Sequence, residues 1–148
     1  MNDAAPAQAL AEAVREQMYA RDHAAQALGI TVEAIGPGFA RCRMVVRQDM
    51  GNGHATCHGG LTVSLADAAF AYACNRATVA QGAQISFVAP ARLGEVLIAS
   101  AREQSRSGRI GIYDVEVAKD DGTVVALFRG TSYETRAAVL AADRSAEP

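Results

Sequence analysis

The string Asn52-Gly53-His54-Ala55-Thr56-Cys57-His58-Gly59-Gly60 carries most of the reactive side chains of this 148-residue chain. A run that is apolar on every side follows, from Leu61 to Cys74, and Asp67 is its only charge. A glycine pair ahead of a helix leaves bare backbone at the helix start. The first N–H groups of a helix have no carbonyl within the helix to donate to, and they stand at the positive end of its dipole. Glycine lets a substrate carbonyl come close to that backbone. A carboxylate can take a proton from water or attack directly. Burial would raise its pKa and hydrogen bonds would lower it, and both remain open at this level. Asp67 has no Arg, Lys or His three or four residues away, and Gly60, Ser64, Ala71 and Cys74 share its side of the run. Most of these are small, which leaves room for something else to approach. The plain alternative is a carboxylate satisfied by backbone or by a neighbouring hydroxyl.

The elements that must position these groups are legible from pattern. Ala66, Ala68, Ala69, Ala71 and Ala73 favour helix in the apolar run. A helix apolar all round belongs inside a protein, and its four or so turns fall short of the roughly 20 residues that cross a bilayer. It is therefore expected as a core helix wrapped by the rest of the chain. Upstream, residues 6–28 show a helical stripe of Leu10, Val14, Met18, Ala25 and Leu28, with Gly29 as a stop. Residues 30–35 and 39–46 read as strands around Gly36-Pro37-Gly38, and 48–56 as a loop. Downstream, strands are expected over 85–89, 95–103, 110–119 and 123–134, with turns at 106–108 and at Asp121-Gly122. Short turns imply antiparallel pairing. One sheet curling around one apolar helix makes an α+β single domain over 1–148, with 1–5 and about 141–148 as mobile tails.

Composition narrows the partners. Half of the residues are hydrophobic and the net charge is −2, which gives no general attraction to nucleic acid or membrane. Lys119 is the only lysine, so the basic side chains are arginines, which suit phosphate and carboxylate forks. Cys42, Cys57 and Cys74 are scattered and odd in number, as expected of reduced thiols in a cytoplasmic protein. No signal peptide or membrane span is expected. His54, Cys57 and His58 lack a second cluster to complete a tetrahedral zinc site, so no metal is expected. Gly51-x-Gly53 is no dinucleotide fingerprint.

NGHATCHGG followed by SLADAAFAYACN, together with the later SGRIGIYDVEV and VALFRGTSY, closely resembles the phenylacetyl-CoA thioesterase family of the hotdog fold, small hydrolases of aromatic-acid breakdown. The resemblance covers roughly residues 20–135, the length of one domain. It implies an antiparallel sheet wrapped around one long helix. It implies hydrolysis of phenylacetyl- or hydroxyphenylacetyl-type acyl-CoA, with water as the second substrate and no cofactor. It also implies a homodimer with a continuous sheet, usually paired again into a tetramer. The family's catalytic carboxylate falls on Asp67, its oxyanion N–H on Gly59, its substrate-contacting asparagine on Asn52, and the histidine before the glycine pair on His58. The family tends to lay the coenzyme near the start of the 110–119 strand and near residues 87–90. Arg92, Arg106 and Arg109 are expected in turns there, free to fork onto phosphate, with Ser107-Gly108 open to a pyrophosphate. An ordinary solvated charge is the plainer reading of each arginine.

Spacing adds one inference. Gly59 and Asp67 are eight residues apart, about 12 Å along one helix. An aspartate side chain cannot span that and still reach a carbonyl held at Gly59. The two roles must then come from two helices across a two-fold axis. Other residues keep two readings each. Asn52 holds water or the thioester oxygen, or only makes a turn. His58 lies near the site, or caps and packs. Ser64 and Gly60 touch substrate, or Ser64 bonds back to its own helix. Two rival functions stand beside hydrolysis: a hotdog acyl-CoA dehydratase or hydratase, and a non-catalytic acyl-CoA-binding hotdog protein.

Overall fold

The computed structural model of the chain describes residues 4–138 and 140. The tail expected from 141 onward, and residues 1–3 of the leading one, lie outside them; Ala4 and Ala5, expected in that leading tail, are instead the first residues of a helix. The described chain runs α1 (Ala4–Tyr19), α2 (His23–Ala27), β1 (Thr31–Gly36), β2 (Phe39–Val45), α3 (Gly59–Cys74), β3 (Thr78–Phe87), β4 (Val96–Ser107), β5 (Ile110–Lys119) and β6 (Val124–Glu134). The strands form one antiparallel sheet in the order β1-β2-β4-β5-β6-β3. The α+β architecture is the expected one.

Of the boundaries that differ, three have a clear local reason. The helical stripe over 6–28 breaks in two, because Asp22 caps α2: its Oδ1 accepts the Ala25 N–H at 3.0 Å. β3 begins at Thr78 rather than Ile85. Residues 79–84 are all exposed, so no apolar alternation marks them, and they are strand because their backbone pairs with β6 from Thr78↔Glu134 onward. β4 continues through the expected 106–108 turn to Ser107. Arg106 is tied to Glu103 at 2.6 Å, and the chain reverses at Gly108–Arg109 instead.

α3 lies across β2, β4 and β5. Leu65, Ala66, Ala69, Phe70, Tyr72, Ala73 and Cys74 are buried on it, and Ala40, Cys42, Ala99 and Ala101 are buried on the strands beneath. Small residues there let the helix come close at the density of a packed interior. Phe70 fixes its position along the axis. Its ring meets Tyr113 edge-on at 5.4 Å and Phe128 at 5.9 Å, and a Cβ on Gly130 would lie 2.8 Å from it. Asn75 closes the helix in a left-handed conformation (φ 52°), its Nδ2 donating to Tyr72 O at 2.7 Å and Ala73 O at 3.2 Å.

The sheet packs on one long helix as expected, and within one chain its cover of that helix is partial. One flank of α3 is open: Asp67 is exposed, and Ser64, Ala68 and Ala71 are only half-buried. Uniform apolarity shows that a helix will be covered, but not by what. One sheet covers one side, and the sheet of a single chain does not reach round.

Gly130→Ala should lower stability by about 1–3 kcal/mol through the clash with Phe70, measured by urea denaturation. Adding Phe70→Leu should return part of that loss, because the two positions touch.

Candidate active site

The segment ahead of α3 is held by its own backbone and by Asn52. Asn52 N–H donates to Thr56 O at 2.8 Å and Ala55 N–H to Asn52 O at 3.1 Å. The Asn52 side-chain oxygen accepts from His54 N–H at 2.9 Å and Thr56 N–H at 3.2 Å, while Nδ2 donates to the Thr56 hydroxyl at 3.0 Å. In this chain the Asn52 amide therefore organises the loop. Ala55, at its tip, carries a positive φ of 58°. The loop is tied to the rest of the fold by Cys57 N–H to Ala91 O at 2.7 Å and His58 N–H to Met50 O at 2.8 Å.

This anchoring fixes where α3 starts. His58 is the N-cap residue, and its side chain makes no capping bond. Gly59 and Gly60 open the helix, so their N–H groups have no carbonyl one turn earlier to donate to. The Phe87 ring lies over Gly59: a Cβ there would sit 3.1 Å from Phe87 Cζ. Beside them is a cleft of ≈ 350 Å³ lined by Cys57, Gly59, Thr62, Val125 and residues 87–91. A larger depression of ≈ 730 Å³ lies on the other face of the sheet, among Ser100, Arg102, Asp114, Glu116 and Arg129. That face is remote from α3, and the smaller cleft is the one beside the free N–H groups.

Asp67 stands two turns further along α3 on its open flank. Although the residue is exposed, the surrounding protein mass holds its carboxyl above the ordinary carboxylate range, and the charge of Asp22 pushes the same way. Pattern reading missed Asp22. Its Oδ2 accepts the hydroxyl of the buried Tyr72 at 3.0 Å, which ties the α1–α2 corner to α3. The signal available was an aspartate in N-cap position before His23-Ala24-Ala25, masked by the longer apolar stripe around it. Ser64 donates to Gly60 O at 2.9 Å and so bonds back to its own helix.

Of the arginines, Arg92 is exposed beside the loop, through the Thr56↔Arg92 bridge. Arg106 is not free: it is paired to Glu103, lies 3.7 Å from Glu134, and donates to the Tyr113 hydroxyl at 3.2 Å. Arg109 lies over the Tyr133 ring, 5.9 Å from its centre. Ser107, Gly108 and Arg109 sit by the start of β3, since Arg109 O accepts the N–H of Glu134, the partner of Thr78. Phe87 and Gly59 sit by the end of β3. One chain thus brings Asn52, His58, Gly59, Gly60 and Arg92 to one end of the sheet and carries Ser107–Arg109 to the other. The Cys42 thiol, buried beneath α3, is pushed up to about 12 by that burial and is no nucleophile.

Residues 54–126 match the thioesterase superfamily. The acyl-coenzyme A thioesterase PaaI of Escherichia coli (strain K12) is 44% identical to the chain over 119 residues, covering 78% of this chain and 85% of that protein. The chain belongs to the thioesterase superfamily. Solved structures agree on the fold. The E. coli PaaI protein from the phenylacetic acid degradation operon superposes with a TM-score of 0.87 at 40% identity, over 89% of this chain and 98% of that one. The TT0310 protein of Thermus thermophilus gives 0.75 at 39% identity, over 78% and 99%. The fold is the hotdog fold and the chain is a thioester hydrolase, as the resemblance implied. The matched stretch holds every candidate site residue except Asn52.

Asp22→Asn should lower the midpoint at which the Asp67 carboxyl titrates. Asparagine can keep the cap on α2 and still face Tyr72, so the loss is mainly of charge. Carboxyl-carbon NMR titration of both proteins measures the shift. A higher midpoint in the variant would contradict the Asp22 contribution.

Proposed function

We propose that this thioesterase hydrolyses acyl-CoA thioesters of aromatic acids, of phenylacetyl or hydroxyphenylacetyl type, to the free acid and coenzyme A. The observation that carries it is a helix start with unspent N–H groups at Gly59 and Gly60, opening onto a small apolar cleft. The thioester carbonyl is held at the Gly59 N–H, which stabilises the oxyanion as it forms. Asp67 takes a proton from the attacking water or attacks the carbonyl carbon itself. Where Asp67 activates water, collapse of the tetrahedral species gives the free acid and expels the coenzyme thiolate, which takes up the proton that Asp67 removed. Where Asp67 attacks, collapse leaves an acyl–Asp67 anhydride and the thiolate takes its proton from solvent. Water then cleaves the anhydride to the free acid and the Asp67 carboxylate. Asn52 holds the loop that sets Gly59, and His58 delivers the chain into the helix. No metal or redox cofactor takes part.

The site is shared between two copies of the chain. Three observations support this. Gly59 and Asp67 lie two turns apart on one helix. Asp67 faces outward from the open flank of α3. And β3, the edge strand beside that flank, carries no charged residue or proline to discourage pairing over ten residues. Antiparallel pairing of β3 with its copy extends the sheet and sets the start of one β3 by the end of the other. The partner's Ser107–Arg109 turn then approaches the Gly59 end of this chain, where Arg92 lies, so both can meet the coenzyme phosphates. Pairing of two dimers completes a homotetramer. Three buried free thiols fit a cytoplasmic setting.

Thiol release from phenylacetyl-CoA should fall by about 10²–10⁴-fold in Asp67→Asn. Enoyl-CoA formation without thiol release would establish the dehydratase instead. A wild-type chain that binds acyl-CoA without turning it over, and keeps that affinity in Asp67→Asn, would establish the binding protein.

Mixing Asp67→Ala and Gly59→Val chains should restore activity, because each mixed dimer holds one intact site. Random pairing gives about a quarter of the wild-type rate, by two-fold symmetry. No recovery on mixing, with subunit exchange verified by native mass spectrometry, would rule out the shared site.

A further inference from the structure

We propose that Phe87 is a specificity-determining residue: its ring is the wall on which the aryl group of the acyl chain rests. The inference rests on the hydrolysis proposed above and names what selects its substrate.

The placement of the ring is unusual for a large apolar side chain. Along β3, Gln84 and Ser86 point to the outer face, where they line the depression away from α3. Ile85 packs against the core. Phe87 shares the face of Ile85 and so belongs on the helix side by alternation, yet it is 58% exposed. It is not packed into the core beneath α3. It lies over the first residue of the helix, at the distance from Gly59 given above. One side of the ring is therefore fixed on the backbone that binds the carbonyl. Within one chain much of the remainder is uncovered, and in the proposed dimer the partner's β3 start comes up to it, so the ring lies where the two chains build the site together.

The surroundings select among the parts of an acyl-CoA. Thr62, Val125, Ala89 and Pro90 line the cleft with Phe87, and no charged side chain is among its lining residues. The N–H groups of Val88 and Ala89 both donate to Val125 O, at 2.7 and 3.2 Å. Proline at 90 has none. This wall thus has no free N–H at 88–90 to offer the carbonyls of the pantetheine arm, which argues against the coenzyme placement near residues 87–90 that the resemblance implied. An aryl group needs no donors and gains from an aromatic edge or face.

The test compares kcat/KM for phenylacetyl-CoA and hexanoyl-CoA in wild type, Phe87→Leu and Phe87→Tyr, with thermal melts to verify folding. The ratio of aryl to alkyl ester should fall by about two- to tenfold in Phe87→Leu, the scale of one aromatic contact, and should stay near wild type in Phe87→Tyr. A ratio that Phe87→Leu leaves unchanged overturns the proposal. This includes the case in which KM rises equally for both esters, which would place the coenzyme arm on the ring. If Phe87→Leu does not fold, Phe87→Ile replaces it. If the wild type releases no thiol from either ester, the hydrolysis proposed above fails on its own. The ring is then read by calorimetric affinity for the same two esters, with the same ratio expected to fall in Phe87→Leu and an unchanged ratio again overturning it.

Discussion

A helix lying on a sheet is free to slide along its own axis unless something stops it. Here Phe70 stops it. Its ring occupies the space that Gly130 leaves empty and is held between Tyr113 and Phe128. Aromatic pairs of this kind contribute about 0.5–1.5 kcal/mol each beyond their buried area, which is modest. Their larger effect is positional. With Phe70 fixed, Gly59 must fall under Phe87, Asp67 must fall on the flank that the sheet does not cover, and the helix must end where Asn75 can turn the chain into β3. The position of the start of α3 is set by packing three turns away.

The loop before the helix works by a different means. Met50 and Cys57 anchor its ends in the core, and between them its order comes from hydrogen bonds: the Asn52 side chain to two backbone N–H groups, and the backbone at Cys57 and His58 to Ala91 and Met50. Glycines in such a loop leave the backbone bare, and Asn52 supplies the bonds that side-chain packing does not. The two demands on this segment, openness to a substrate and a fixed position, are met by separate residues.

Much of this is legible in the chain itself. The apolar run with one acid, the glycine pair before it and the period-2 pattern of residues 110–119 each follow from local chemistry, and α3, β5 and the α+β class come out as expected. What is not legible involves relations between distant residues. β3 from Thr78 to Gln84 has no pattern of its own and exists through its ladder with β6. The contact of Phe87 with Gly59 joins residues 28 apart in sequence, and the Tyr72–Asp22 bond joins residues 50 apart. The open flank of α3 escapes pattern reading for a simpler reason. Hydrophobicity counts surface that wants cover, and it carries no information on whether the cover comes from the same chain.

β3 has a consequence for the life of the newly made protein. Strands at the rim of a sheet usually carry a lysine, a proline or a kink that keeps strangers away, and β3 shows a bulge between Ala80 and Gly82 but no such side chain. Until it is covered, its backbone will hydrogen-bond to any extended segment it meets, native or not. Any condition that keeps this rim bare exposes the chain to edge-to-edge association, and the bare rim is the place from which such association starts.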